Sequence, residues 1–158
     1  MAVEVGQQVP DVMLVNYDRK AVRLRELLGR PTVLAFFPGA FTGVCTREMC
    51  AFRDSLAKFN ALGAQVIGIS VDTPFAQKAF ADANGLNFPL VSDFNREAVR
   101  AFDLEDPGFA GGLLPGVARR SVFVVDGDGA VRFKWVAPTP ATEPDYAAVE
   151  SAVKNLAR

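Results

Sequence analysis

Apolar and polar positions along the chain switch between the period of a strand and that of a helix. Thr32-Val33-Leu34-Ala35-Phe36-Phe37 is an almost unbroken apolar run halted by Pro38 and Gly39, which predicts a central strand buried on both faces. From Cys45 to about Asn60 the residues Cys45, Met49, Phe52, Leu56 and Phe59 recur at i, i+4, i+7, i+11 and i+14, the signature of one helical face packed on a sheet. Gly63 punctuates the chain, and Gln65 to Val71 predicts a second strand, closing a β-α-β unit. Thr73 and Pro74 suit an N-cap and a first helical position, with Gly85 ending that helix after Asn84. Phe88 to Ser92 predicts a short strand, placed at an edge or at a strand start by Pro89.

Asn95 to Phe102 predicts a short helix, and Glu105 to Val117, with four glycines and two prolines, a mobile loop. Ser121–Val125 and Ala130–Val136 flank Asp126-Gly127-Asp128-Gly129, a hairpin signal because these residues tolerate positive φ. Pro138 to Pro144 ends the hairpin, and Asp145 to Leu156 predicts a terminal helix with Tyr146, Val149, Val153 and Leu156 on one face. This order makes an α/β protein with a mixed central sheet flanked by helices, which the thioredoxin-like fold satisfies. With 158 residues the chain suits one domain, residues 1–158, and no repeat or linker interrupts it.

Charge narrows the partners. Seventeen Lys+Arg against eighteen Asp+Glu give no field to attract polyanions, so nucleic acid is not expected. No apolar stretch reaches membrane-spanning length, and the opening MAVEVGQQVPD has neither a basic leader nor a hydrophobic signal core. The expectation is a soluble, cytoplasmic protein. The absence of histidine removes Ser/His and Cys/His catalysis, imidazole metal ligands and His proton shuttles. Two cysteines are too few for a thiolate metal cluster or a secreted disulfide scaffold, so no metal centre is expected, and attention falls on Cys45 and Cys50.

Cys45 follows a strand by a short turn and opens a helix, near unpaired backbone N–H groups and the positive end of the helix dipole. Such surroundings, or a neighbouring arginine, favour the nucleophilic thiolate. Thr42 offers a hydroxyl that could accept from a backbone donor or a bound oxygen and donate to the sulfur. Pro38, which lacks an N–H, could wall a pocket without competing for substrate. The residues alone leave a second reading open, in which Cys45 is a small buried hydrophobe.

The run Phe37-Pro38-Gly39-Ala40-Phe41-Thr42-Gly43-Val44-Cys45 resembles the peroxiredoxin active-site pattern P-x3-T/S-x2-C. Phe88-Pro89-Leu90-Val91-Ser92-Asp93 and Arg120-Ser121-Val122-Phe123-Val124-Val125-Asp126 extend the resemblance over most of the chain. The small members are most similar: the alkyl hydroperoxide reductase E, type-five and peroxiredoxin Q (bacterioferritin comigratory protein) types. The resemblance implies a cofactor-free thiol peroxidase in which Cys45 reduces hydrogen peroxide or an alkyl hydroperoxide and becomes a sulfenic acid, in antioxidant defence. It places at Arg120 the arginine that stabilises the developing charge, with Arg119 in reserve; alternation along a strand lets only one of them face inward. It implies a thioredoxin, glutaredoxin or small-thiol reductant, and a monomer or homodimer, with Phe41 and Phe109 available either for pairing or, for Phe41, for the substrate pocket.

Cys50, at C-x4-C spacing, matches the resolving cysteine of many peroxiredoxin Q members. In a helix the two lie about 140° apart with a rise of about 7.5 Å, roughly 8 to 9 Å between Cα atoms. That exceeds the roughly 7 Å limit for a disulfide, so bonding requires the helix start to unwind. Charged neighbours Arg47 and Asp54 predict that Cys50 is exposed. Glu48 is sufficiently explained as a first-turn carboxylate facing the helix dipole. The alternatives are a one-cysteine peroxidase resolved by an external thiol and a non-enzymatic thioredoxin-fold chaperone or binding module.

Overall fold

A computed structural model describes residues 2–156. Its strands are β1 (Met13–Val15), β2 (Ala21–Arg23), β3 (Thr32–Phe36), β4 (Gln65–Ser70), β5 (Leu90–Ser92), β6 (Glu105–Asp106), β7 (Val117–Ala118), β8 (Ser121–Val125) and β9 (Val131–Val136). Its helices are α1 (Leu24–Leu27), α2 (Gly43–Ala61), α3 (Pro74–Asn84), α4 (Glu97–Ala101) and α5 (Tyr146–Leu156). Seven strands form one sheet in the order β2-β1-β5-β4-β3-β8-β9. β3, β4 and β5 run parallel at its centre, and β8 lies antiparallel beside β3.

Every residue of β3 is buried, as its apolar run requires. Alternation sends Val33, Ala35 and Phe37 to the face covered by Met49 and Phe52 of α2, Phe80 of α3 and Val149 of α5. Leu34 and Phe36 go to the opposite face with Val99 of α4, Phe102 and Phe123. α2 crowds the sheet where β4 carries Gly68. A Cβ there would collide with Leu90 and press on Met49 Sδ and Phe37 Cε1, both 3.4 Å away.

The helix signals sit where expected. Thr73 Oγ1 accepts from Ala76 N, Pro74 begins α3, and Gly85 ends it in the left-handed region. In the β8–β9 turn, Asp126 Oδ1 accepts from Asp128 N and Ala130 N. Of the two places that Pro89 allowed, an edge or a strand start, it takes the strand start, since the strand that follows is an interior one between β1 and β4. Two features differ from the sequence pattern. The 105–117 segment is not plain loop, because β6 and β7 pair within it and a 3-10 turn spans Phe109–Gly112. The β1–β2 hairpin had no visible signal: each strand is three residues long, too short for a period to register. Among the described residues, no helix is long and apolar enough to cross a membrane.

Candidate active site

β3 delivers its last residues to the edge of the α2 N-terminus. After Phe36, Phe37 N donates to Ile69 O, and the chain turns through Pro38-Gly39-Ala40-Phe41. Asp72 fixes this turn, its Oδ2 accepting from Ala40 N and from Ser70 Oγ, each at 2.8 Å. Phe41 takes the left-handed conformation, φ 67°, which is uncommon for a bulky residue. Its ring is 60% exposed and meets Phe80 edge-on at 5.2 Å. It thus turns toward α3 and does not line the pocket beside Thr42.

Thr42 is the N-cap of α2, yet its side chain caps nothing: Oγ1 donates to Gly39 O at 3.0 Å. The donation to the Cys45 sulfur expected of this hydroxyl is not made, because the turn carbonyl already takes its proton. The first intrahelical bond runs from Thr46 N to Thr42 O at 2.9 Å, so Gly43, Val44 and Cys45 have N–H groups with no intrahelical acceptor.

Cys45, the third residue of α2, is fully buried, and the late arginine pair resolves by alternation. Arg120 turns inward, 2% exposed, while Arg119 is exposed and donates only its backbone N–H to Leu104 O at 2.7 Å. Arg120 Nη2 lies 3.2 Å from Cys45 Sγ, and Nη1 lies 2.9 Å from Glu48 Oε1. Nε and Nη2 donate to Pro140 O at 3.2 and 3.0 Å. Burial works against the guanidinium charge, but Cys45 and Glu48 together raise its pKa above the usual arginine value.

Glu48 corrects its first-turn dipole explanation. It follows Cys45 at i+3, which puts both on one helical face under Arg120, and it is wholly buried in an ion pair. Burial pushes its carboxyl up to about 7 against the pull of Arg120. Its Oε2 has no hydrogen-bond partner. Cys50 also departs from expectation: it is half-buried, its thiol directed at Asn84 Oδ1 on α3 at 3.9 Å. Counting charged neighbours on α2 could not reveal a facing helix. Both cysteines are free and α2 runs unbroken through them.

A pocket of about 240 Å³, lined by Pro38, Thr42, Gly43, Val44, Phe109, Arg120, Pro140 and Ala141, lies in front of this cluster. The sulfur sits behind the wall that Arg120 shares with it. The Pro-rich 138–144 segment forms the far side, tied down by Pro140 to Arg120 and by Glu143, which pairs with Arg47 Nε at 3.5 Å and accepts from Tyr146 Oη at 2.8 Å. Sequence reasoning missed Pro140, Asp72 and Glu143, which act from loops with no local motif.

Residues 5–134 match the AhpC/TSA family. The chain is 40% identical over 127 residues to a Mycobacterium tuberculosis (strain CDC 1551 / Oshkosh) protein provisionally named a peroxiredoxin, covering 80% of each. It is 41% identical over 130 residues to chloroplastic peroxiredoxin Q of Gentiana triflora, covering 82% of this chain and 58% of that longer one. Among solved structures it superposes on the bacterioferritin comigratory protein of Xanthomonas campestris, studied for alkyl peroxide reduction, with TM-score 0.81, 29% identity and coverage of 99% and 98%. These matches span the strand, turn and helix that carry Cys45, and with them the fold is thioredoxin-like; the chain belongs to the AhpC/TSA family of peroxiredoxins, thiol-dependent peroxidases.

Proposed function

We propose that Cys45 is the peroxidatic residue, reducing hydrogen peroxide and alkyl hydroperoxides. Its thiolate attacks the terminal peroxide oxygen; an S–O bond forms, the O–O bond breaks, and the departing oxygen gains negative charge before taking a proton. Fixed donors aimed at that oxygen lower the barrier because they bind the transition state more tightly than the substrate. Arg120 and the free N–H groups at the start of α2 are those donors. The observation that carries this reading is the Arg120 fork, with one nitrogen on Cys45 Sγ at 3.2 Å and another on Glu48. Pro38 and Thr42 wall the pocket in front of it.

Cys50 is proposed as the resolving thiol. It attacks the Cys45 sulfenic sulfur, forming the disulfide and releasing water, and a thioredoxin, glutaredoxin or small thiol then restores both cysteines. Two free thiols suit a reducing compartment, the cytoplasm. Mass mapping after one equivalent of peroxide tests both roles. The expected products are a Cys45–Cys50 disulfide in the native protein and one added oxygen on Cys45 in Cys50→Ser. Peroxide consumption undiminished in Cys45→Ser rejects the peroxidatic assignment.

A further inference from the structure

Cys50 and Arg53, one helical turn apart on α2, meet the same residue of the neighbouring helix. Asn84 ends α3; its Oδ1 receives the Cys50 thiol at 3.9 Å, and its backbone carbonyl accepts from Arg53 Nη1 at 2.6 Å. The side chain is held from turning away, because Asn84 Nδ2 donates to Phe80 O at 2.9 Å. Arg53 is held in turn by Asp54, Nε to Oδ1 at 2.9 Å, and its own carbonyl accepts from Asn87 Nδ2 at 3.5 Å. The Arg53 contact has a clear cause. Carbonyls in the last turn of α3 lack intrahelical N–H partners and carry the negative end of the helix dipole, so a guanidinium supplied by α2 satisfies both.

Successive turns of α2 are thereby fastened to the end of α3, the second through Cys50 and the third through Arg53. While α2 stays helical, Cys45 and Cys50 are held roughly 8 to 9 Å apart between Cα atoms, beyond disulfide reach. Freeing Cys50 means breaking its contact with Asn84 and unwinding the helix up to the turn that Arg53 anchors on the same residue. We infer that Asn84 is a positioning residue for the resolving step, holding Cys50 on the helix and setting how fast it leaves to meet oxidised Cys45. This inference rests on the resolving role proposed for Cys50.

In that step the Cys50 sulfur bonds to the Cys45 sulfenic sulfur, the S–O bond breaks, and the hydroxyl leaves as water with the thiol proton. The competing fate is attack of the sulfenic sulfur on a second hydrogen peroxide: a new S–O bond forms, the O–O bond breaks, water leaves, and a sulfinic acid remains. The longer Asn84 retains Cys50, the larger the share of chains that take this second route.

The test is quenched-flow oxidation of the reduced full-length protein with hydrogen peroxide, scoring sulfenic acid, disulfide and sulfinic acid by mass spectrometry. It compares native protein with Asn84→Ala, Arg53→Gln and the control Lys78→Ala, which removes the exposed Lys78–Asp82 pair of α3 and the ammonium over the Tyr17 ring, neither of which touches Cys50 or Arg53. Asn84→Ala and Arg53→Gln are expected to form the disulfide at least about twofold faster, the low end of the effect of one net hydrogen bond, because a thiol is a weak donor. They are also expected to yield less sulfinic acid, with the rate of sulfenic acid formation unchanged; Lys78→Ala is expected to match the native protein throughout. Native-like disulfide rates in both latch variants, or equal acceleration by Lys78→Ala, overturns the latch alone. No Cys45–Cys50 disulfide in the native protein overturns the resolving role of Cys50 and the latch with it.

Discussion

Arg120 Nη2 lies 3.2 Å from Cys45 Sγ, across 75 residues of sequence and between two elements that meet only because β8 pairs with β3. All three guanidinium nitrogens are engaged, Nε by Pro140, Nη1 by Glu48 and Nη2 by Cys45 and Pro140, which uses four of the five N–H donors and leaves the second Nη1 N–H for substrate. A lysine cannot reproduce this fork, since its ammonium is a single point of donation. Arg120→Lys should therefore slow oxidation of Cys45 by about 10²-fold or more, the typical effect of losing one charge-stabilising donor. Stopped-flow fluorescence of the single tryptophan, Trp135, gives the rate; an unchanged rate would remove Arg120 from the chemistry.

Glu48 gives the protein a pH signature. Its carboxyl, ordinarily near 4.5, is pushed up to about 7 by burial, so the folded chain holds that proton more tightly than the unfolded chain does. Its contribution to stability is full below about 4.5 and is lost as pH rises through about 7. Denaturant midpoints measured from pH 4.5 to 8 should fall over that window in the native protein and fall less in Glu48→Gln, which carries no titrating proton.

Gly68 leaves no room for a side chain between β4, its neighbour β5 and α2. Valine there would meet Leu90, Met49 and Phe37 at once, and overpacking of this kind typically costs about 1 to 3 kcal/mol. Gly68→Val should lower the melting temperature and slow peroxide reduction together, because Met49 lies on the same helical face as Cys45.

Oxidation should also cost helix. A Cys45–Cys50 disulfide cannot form within an intact turn, so circular dichroism of the peroxide-treated protein should show reduced helicity that a thiol reductant restores. Cys50→Ser should keep its helicity under the same treatment.

Much of this was legible in the sequence because it is local. The β3 run, the face bearing Cys45, Met49 and Phe52, and the Thr73-Pro74 and Gly85 boundaries each declare themselves within a few residues. What stayed hidden is non-local. Glu48 reads as an ordinary first-turn carboxylate until Arg120, 72 residues away, closes over it. The contact of Cys50 with Asn84 depends on how α3 packs beside α2, and Asp72 reaches the Ala40 amide from the next loop. Strands of three residues, β1 and β2, are too short to show a period.

The most direct measurement is the rate at which reduced protein forms a sulfenic acid with hydrogen peroxide and with an organic hydroperoxide, trapped by dimedone and mapped to its residue. The expected result is one sulfenic acid per chain, on Cys45, absent in Cys45→Ser and formed at least about 10²-fold more slowly in Arg120→Gln. Sulfenic acid on another residue, or an Arg120→Gln rate equal to that of the native protein, would contradict the pairing of this sulfur with this guanidinium as the source of the peroxidase chemistry.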